Sequence, residues 1–170
     1  AAVKPLTWLA ISANSTFSQN KINNFTEYID NWDNGGQVSY THSNTDIAFS
    51  PGVISAGTIT FTPFQHLPHG QNLELDITEK YVSRQYLDNT SNKSRSIDPY
   101  NFCNVLIMYS VHMHPFKEVT ATLALNNIFG NFYNTNGYTY EYIEGNVLNT
   151  QNSYFPQARF NALGGVTLKW

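Results

Sequence analysis

Residues 156–170 read PQARFNALGGVTLKW, and this stretch constrains the fold more than any other. Counting back in twos from Trp170 gives Leu168, Val166, Gly164, Ala162 and Phe160, with no polar side chain among them. The intervening set, Lys169, Thr167, Gly165, Leu163, Asn161 and Arg159, is nearly all polar or small. Successive strand residues point to opposite faces, so this is a strand with one apolar and one hydrated face. It is long enough to cross a bilayer, which takes about 9–11 tilted residues. It ends on an aromatic ring, the kind of side chain that anchors at a membrane interface.

The rest of the chain obeys the same alternation. Five further strands are expected over residues 6–20, 53–62, 72–85, 101–113 and 117–128. In the fourth, Cys103, Val105, Ile107, Tyr109 and Val111 face one way and Asn104, Ser110 and His112 the other. In the third, Glu79 interrupts an otherwise apolar set and so marks an interface or a bulge. Residues 21–46, 87–99 and 129–155 read as long polar loops, whereas 63–70 and His114-Pro115 read as short turns. Alternation of long and short connections is the pattern of outer-membrane barrels. No helical periodicity competes with it.

Composition agrees. Charged residues are 12% of the chain and aromatics 15%, with a formal charge of −3. There is no basic excess to hold nucleic acid, and alternation hides the hydrophobicity of a membrane strand from any window average. Cys103 is alone, so no disulfide framework exists. No secretory leader is seen at residues 1–5, which for an exported barrel implies cleavage or truncation.

Six strands cannot stand alone in lipid. Every backbone N–H and C=O needs a partner there, and two open edges would cost on the order of tens of kcal/mol. Either a hairpin lies hidden in 129–155, with Asn136-Gly137 as its turn, or the chain is the C-terminal part of a larger barrel.

The stretches KYVSRQYLDNT (residues 80–90), LALNNIF (123–129) with Tyr133 and Asn136-Gly-Tyr138, and YFPQA (154–158) leading into LGGVTLKW resemble TonB-dependent outer-membrane receptors, particularly the Bacteroidetes type. The resemblance implies an all-β, antiparallel transmembrane barrel of about 22 strands. Residues 1–170 would form its last six strands, with the plug domain and earlier strands outside the sequence. It implies a cell outer-membrane receptor of a Gram-negative bacterium that takes up a scarce nutrient: an iron–siderophore, haem, cobalamin or oligosaccharide. Implied partners are lipid, the remaining barrel and plug, TonB through the absent N-terminal part, the barrel-assembly machinery and a small-molecule or glycan ligand. Phe160, Val166, Leu168 and Trp170 would be the C-terminal assembly signal. Two alternatives remain: a self-contained eight-stranded barrel with a structural or adhesive role, and a soluble β-sandwich binding module.

Candidate sites are few. Trp32, Tyr133, Tyr138, Tyr140 and Tyr142 fall in the long loops, where flat amphipathic rings can contact a ligand. His66, His69, His112 and His114 gather near the short turns, but no recognisable metal-ligand spacing accompanies them. Glu74, Asp76, Lys80, Arg84, Glu118 and Arg159 read as hydrated lumen residues. No nucleophile, phosphate-loop or cofactor motif is present, so no enzyme and no cofactor are expected.

Overall fold

The computed structural model describes residues 1–64 and 68–170, without the side chain of His69. The chain is all-β. In order the strands are β1 Ala2–Leu6, β2 Leu9–Phe17, β3 Lys21–Asn31, β4 Gly36–Asp46, β5 Val53–Phe61, β6 Asn72–Val82, β7 Gln85–Tyr86, β8 Ser96–Ile97, β9 Tyr100–Val111, β10 Glu118–Asn126, β11 Asn134–Glu144, β12 Val147–Pro156 and β13 Asn161–Lys169. A 3-10 turn, Pro68–Gly70, precedes β6.

Seven strands form an antiparallel sheet in the order β1-β2-β5-β6-β9-β10-β13. Six of them are the strands expected from alternation. The seventh, β1, arises because the expected strand at 6–20 breaks at Thr7-Trp8 and Ala2–Leu6 folds back on it.

The registers turn the alternation of single strands into continuous rows. Ile11, Ile59, Ile77, Val105, Leu125 and Ala162 stand in line across six strands. The next row is Leu9, Phe61, Leu75, Ile107, Leu123 and Gly164. Below it come Leu73, Tyr109, Ala121 and Val166, then Val111, Val119 and Leu168. This apolar face is not a soluble core: Val166 is 69% and Trp170 75% exposed. The opposite face carries Ser12, Thr58, Thr78 and Asn104 in one row, with Thr58 and Thr78 hydroxyls hydrogen-bonded at 3.0 Å.

The apolar band ends where Glu79 enters it. Glu79 stands in a row with Ala13, Gly57 and Cys103 and accepts from Asn101 Nδ2 at 2.6 Å. The row beyond, Ser15, Ser55, Tyr81 and Asn101, is polar, and the two serine hydroxyls bond at 2.6 Å. Registers through Glu79 are regular, so no bulge forms there. The nine positions from Cys103 to Val111, at ~3.3 Å rise and ~40° tilt, span about 23 Å, close to the ~25 Å apolar band of outer-membrane barrels.

Two expected loops are hairpins. Residues 21–46 pair as β3 with β4, and residues 134–156 as β11 with β12. Their polar composition disguised them: most side chains on both faces are polar, so the apolar alternation that marks a half-buried strand is missing. The extra pair within 129–155 does exist, but it joins β3–β4 in a four-stranded sheet, order β12-β11-β3-β4, and not the seven-stranded one.

The turn of that hairpin is at Gly145-Asn146, both with positive φ (62° and 60°), and not at Asn136-Gly137. Gly137 lies inside β11 because another backbone approaches closely. A Cβ there would stand 2.6 Å from the Ser153 carbonyl oxygen and 3.1 Å from Leu87. Gly137→Ala is expected to destabilise the hairpin by about 1–3 kcal/mol, seen as faster proteolysis of residues 134–156 with the seven-stranded sheet unchanged.

Candidate functional site: a three-loop cluster

All three long connections leave the sheet at the Glu79 end. The first is the β3–β4 hairpin, the second the segment 83–99 with its small β7–β8 ladder, and the third the β11–β12 hairpin. The middle segment is a wedge between the hairpins. On one side the Ser91 hydroxyl donates to Asp46 at 3.0 Å, Ala48 N–H donates to Asn89 Oδ1 at 2.8 Å, and Phe49 N–H to the Tyr86 carbonyl at 3.0 Å. On the other, Asn152 Nδ2 donates to the Ser94 carbonyl at 2.7 Å and the Tyr154 hydroxyl to that of Ser96 at 3.1 Å.

Arg95 is the one described side chain that ties all three. It is 4% exposed. Its Nη1 meets Glu27 of β3, Asp88 Oδ2 at 2.8 Å within its own loop, and Glu141 Oε2 of β11 at 2.9 Å. Glu27 also takes a 2.8 Å contact from His42 Nε2 on β4. The cluster floors a cleft of about 340 Å³ bordered by Phe25, Tyr28, Ile29, Thr139 and Tyr140. Breaking a buried ion pair by removing one partner typically costs about 3–5 kcal/mol, because the other charge is left unpaired.

Burial pushes the Glu27 carboxyl up, but hydrogen bonds from Arg95 and His42 more than offset it and hold the group below its ordinary 4.5. A carboxyl depressed on folding contributes stability above its unfolded value and loses it as pH falls through its folded value. The cluster is therefore expected to loosen below about pH 4.5, measured as amide exchange at β3 and β11, and Glu27→Gln should remove part of that acid sensitivity.

Sequence reasoning missed Arg95, Glu27, Asp88, Glu141 and His42. The signal was present at Glu27, which alternates with Phe25 and Ile29 on a face that turns inward. An acid on such a face calls for a buried cation, and Arg95 supplies it.

The expected aromatic residues divide into separate groups. Trp32 and Tyr142 stack at 4.0 Å and 18°, locking the hairpin tips, where Trp32 N–H also donates to the Ile143 carbonyl. Tyr140 stacks beside Tyr142 and donates to Asp30 Oδ2 at 2.8 Å, a bond that raises its phenol pKa. Asp33 caps the other tip, accepting from Gly145 and Asn146 N–H at 2.7 and 2.8 Å. Those two N–H groups lower the Asp33 carboxyl pKa. Tyr138 is exposed, its ring 6.4 Å from Phe155. Tyr133 is apart from all of these, stacked on Tyr100 at 4.8 Å and Phe102 at 5.3 Å. It links two shallow clefts of about 300 and 220 Å³, the latter rimmed by Asn104, Asn126, Asn127 and Asn161.

Of the four histidines expected near the short turns, His112 and His114 are at the opposite end of the sheet. His66 lies outside the described residues; for His69 only the backbone, in the 3-10 turn, is described. His112 packs against Gly70 and stands 3.9 Å from Glu118. His114 is in the tight turn closed by Phe116 N–H to the Met113 carbonyl. Among the described residues no three His, Cys, Asp or Glu side chains are placed to hold a metal ion. Of the lumen set, Asp76 accepts from Thr60 and Arg84 pairs with Asp98 at 2.9 Å. At the C-terminus, Phe160, Val166, Leu168 and Trp170 are all exposed, and Trp170 packs edge-to-face on Phe116 at 4.8 Å.

No protein-family model and no curated protein matches the chain. Among solved structures it is similar to the ferric yersiniabactin uptake receptor FyuA from Yersinia pestis, with a TM-score of 0.57 and 12% identity over 99% of this chain. The chain spans 22% of that receptor's chain. At that identity the likeness is one of fold: an all-β segment resembling part of a TonB-dependent receptor barrel.

Proposed function

We propose that this chain is part of the wall and outer loops of an outer-membrane receptor that imports a scarce nutrient with energy transmitted through TonB. The observation that carries the reading is the exposed apolar face: rows running in register over six strands, bounded by Glu79, with every long connection on one side of that boundary. The likeness to an uptake receptor supports it. The Bacteroidetes assignment rests on the sequence motifs alone.

In this reading the three-loop cluster faces outward and first meets the cargo, an iron–siderophore, haem, cobalamin or oligosaccharide. Other strands continue the sheet past β1 and β13, and a plug fills the lumen and contacts TonB. Phe160, Val166, Leu168 and Trp170 form the signal read by the assembly machinery. The chain acts as receptor and carrier, not as an enzyme.

The test is made in intact cells producing the whole protein. A protease cutting after aromatic residues should cleave at the hairpin tips from outside while residues 101–128 stay protected, and deleting the gene should abolish one TonB-dependent uptake activity. Recovery of the protein in the soluble fraction, or cleavage within 101–128, would overturn the proposal.

A further inference from the structure

The structure assigns a second role to the segment 83–99: it is a removable pin, and Arg95 is the charge that keeps the two hairpins closed on each other. The inference concerns loop movement and does not depend on the transport reading.

The hairpins touch directly at their tips, where Tyr142 and Ile143 pair with Asp30 and Asn31 and Asp33 caps the neighbouring turn. Further down, the described hydrogen bonds run through the pin. There Glu27 from one hairpin and Glu141 from the other converge on a single nitrogen. Nη1 has two hydrogens but faces three carboxylates, and Nε has no acceptor. The site thus holds three acids around one guanidinium, with His42 sharing only Glu27.

That surplus makes the cluster asymmetric. Withdrawing one carboxylate leaves Arg95 paired with the other two. Withdrawing Arg95 leaves Glu27 and Glu141 facing each other in a half-buried space, where like charges repel strongly. Movement of the pin therefore separates the hairpins.

The test uses the full-length protein in lipid nanodiscs. Spin labels go on Tyr40→Cys of β4 and Leu148→Cys of β12, both exposed, while Cys103 is buried. Arg95→Met is expected to shift the label distance upward and broaden it. Adding Glu27→Gln and Glu141→Gln to Arg95→Met should bring the parental distribution back, which loss of packing alone would not allow. Asp88→Asn, which keeps the pin and relieves crowding, should leave the distance unchanged. A parental distance in Arg95→Met, no recovery in the triple variant, or separation in Asp88→Asn would each overturn the assignment.

Discussion

Arg95→Met is expected to cost the three-loop cluster about 3–5 kcal/mol. Methionine fills much of the volume of the arginine stem, so the loss measures charge and not a cavity. Arg95 is 4% exposed, and water cannot readily replace its guanidinium beside Glu27, Asp88 and Glu141. A deficit of this size corresponds to at least a hundredfold faster amide exchange through local opening. The increase should appear in β3, β11 and the segment 83–99 together. Strands β5, β6, β9 and β10 should exchange as before, because their ladders do not pass through Arg95. Exchange confined to 83–99 would mean that Arg95 holds only its own loop.

The second large effect separates two adjacent residues. Leu123→Arg is expected to cost about 2–4 kcal/mol, the penalty for a cation near the lipid-facing midplane of a barrel. Thr122→Arg, one position away, points to the hydrated face and should be tolerated. Leu123 lies between Ile107 and Gly164 in the middle of the apolar rows. Thr122 lies between Met108 and Gly165 on the opposite face. The measurement is the fraction of folded protein recovered in the membrane, with urea unfolding in bilayers for variants that insert. Equal effects at the two positions would contradict a one-sided lipid contact.

Six strands of the seven-stranded sheet were legible because a sheet with one apolar and one polar face imposes a two-residue period on them. Ile107, Tyr109 and Val111 needed only counting. The loop hairpins were not legible for the same reason in reverse. Residues 36–46, GQVSYTHSNTD, carry one aliphatic side chain, Val38, and their pairing comes from tertiary placement and not from an apolar pattern. Asn136-Gly137 misled because a glycine kept for close backbone approach has the same signature as a glycine kept for a turn. Arg95 sits in a polar stretch, SNKSRSID, where nothing local distinguishes it from a solvated cation. Its burial follows from Glu27 and Glu141, which lie 68 and 46 positions away along the chain.

The loop hairpins also have a mechanical side. Each of β3, β4 and β11 has 11 residues, so at ~3.3 Å per residue each hairpin is an arm of about 36 Å. A tilt of ~10° at its base would carry the tip about 6 Å at that length. The polar row of Ser15, Ser55, Tyr81 and Asn101 lies on β2, β5, β6 and β9, at the end of the sheet from which the β3–β4 arm leaves. A small backbone adjustment at the foot of that arm would therefore reach Trp32 magnified.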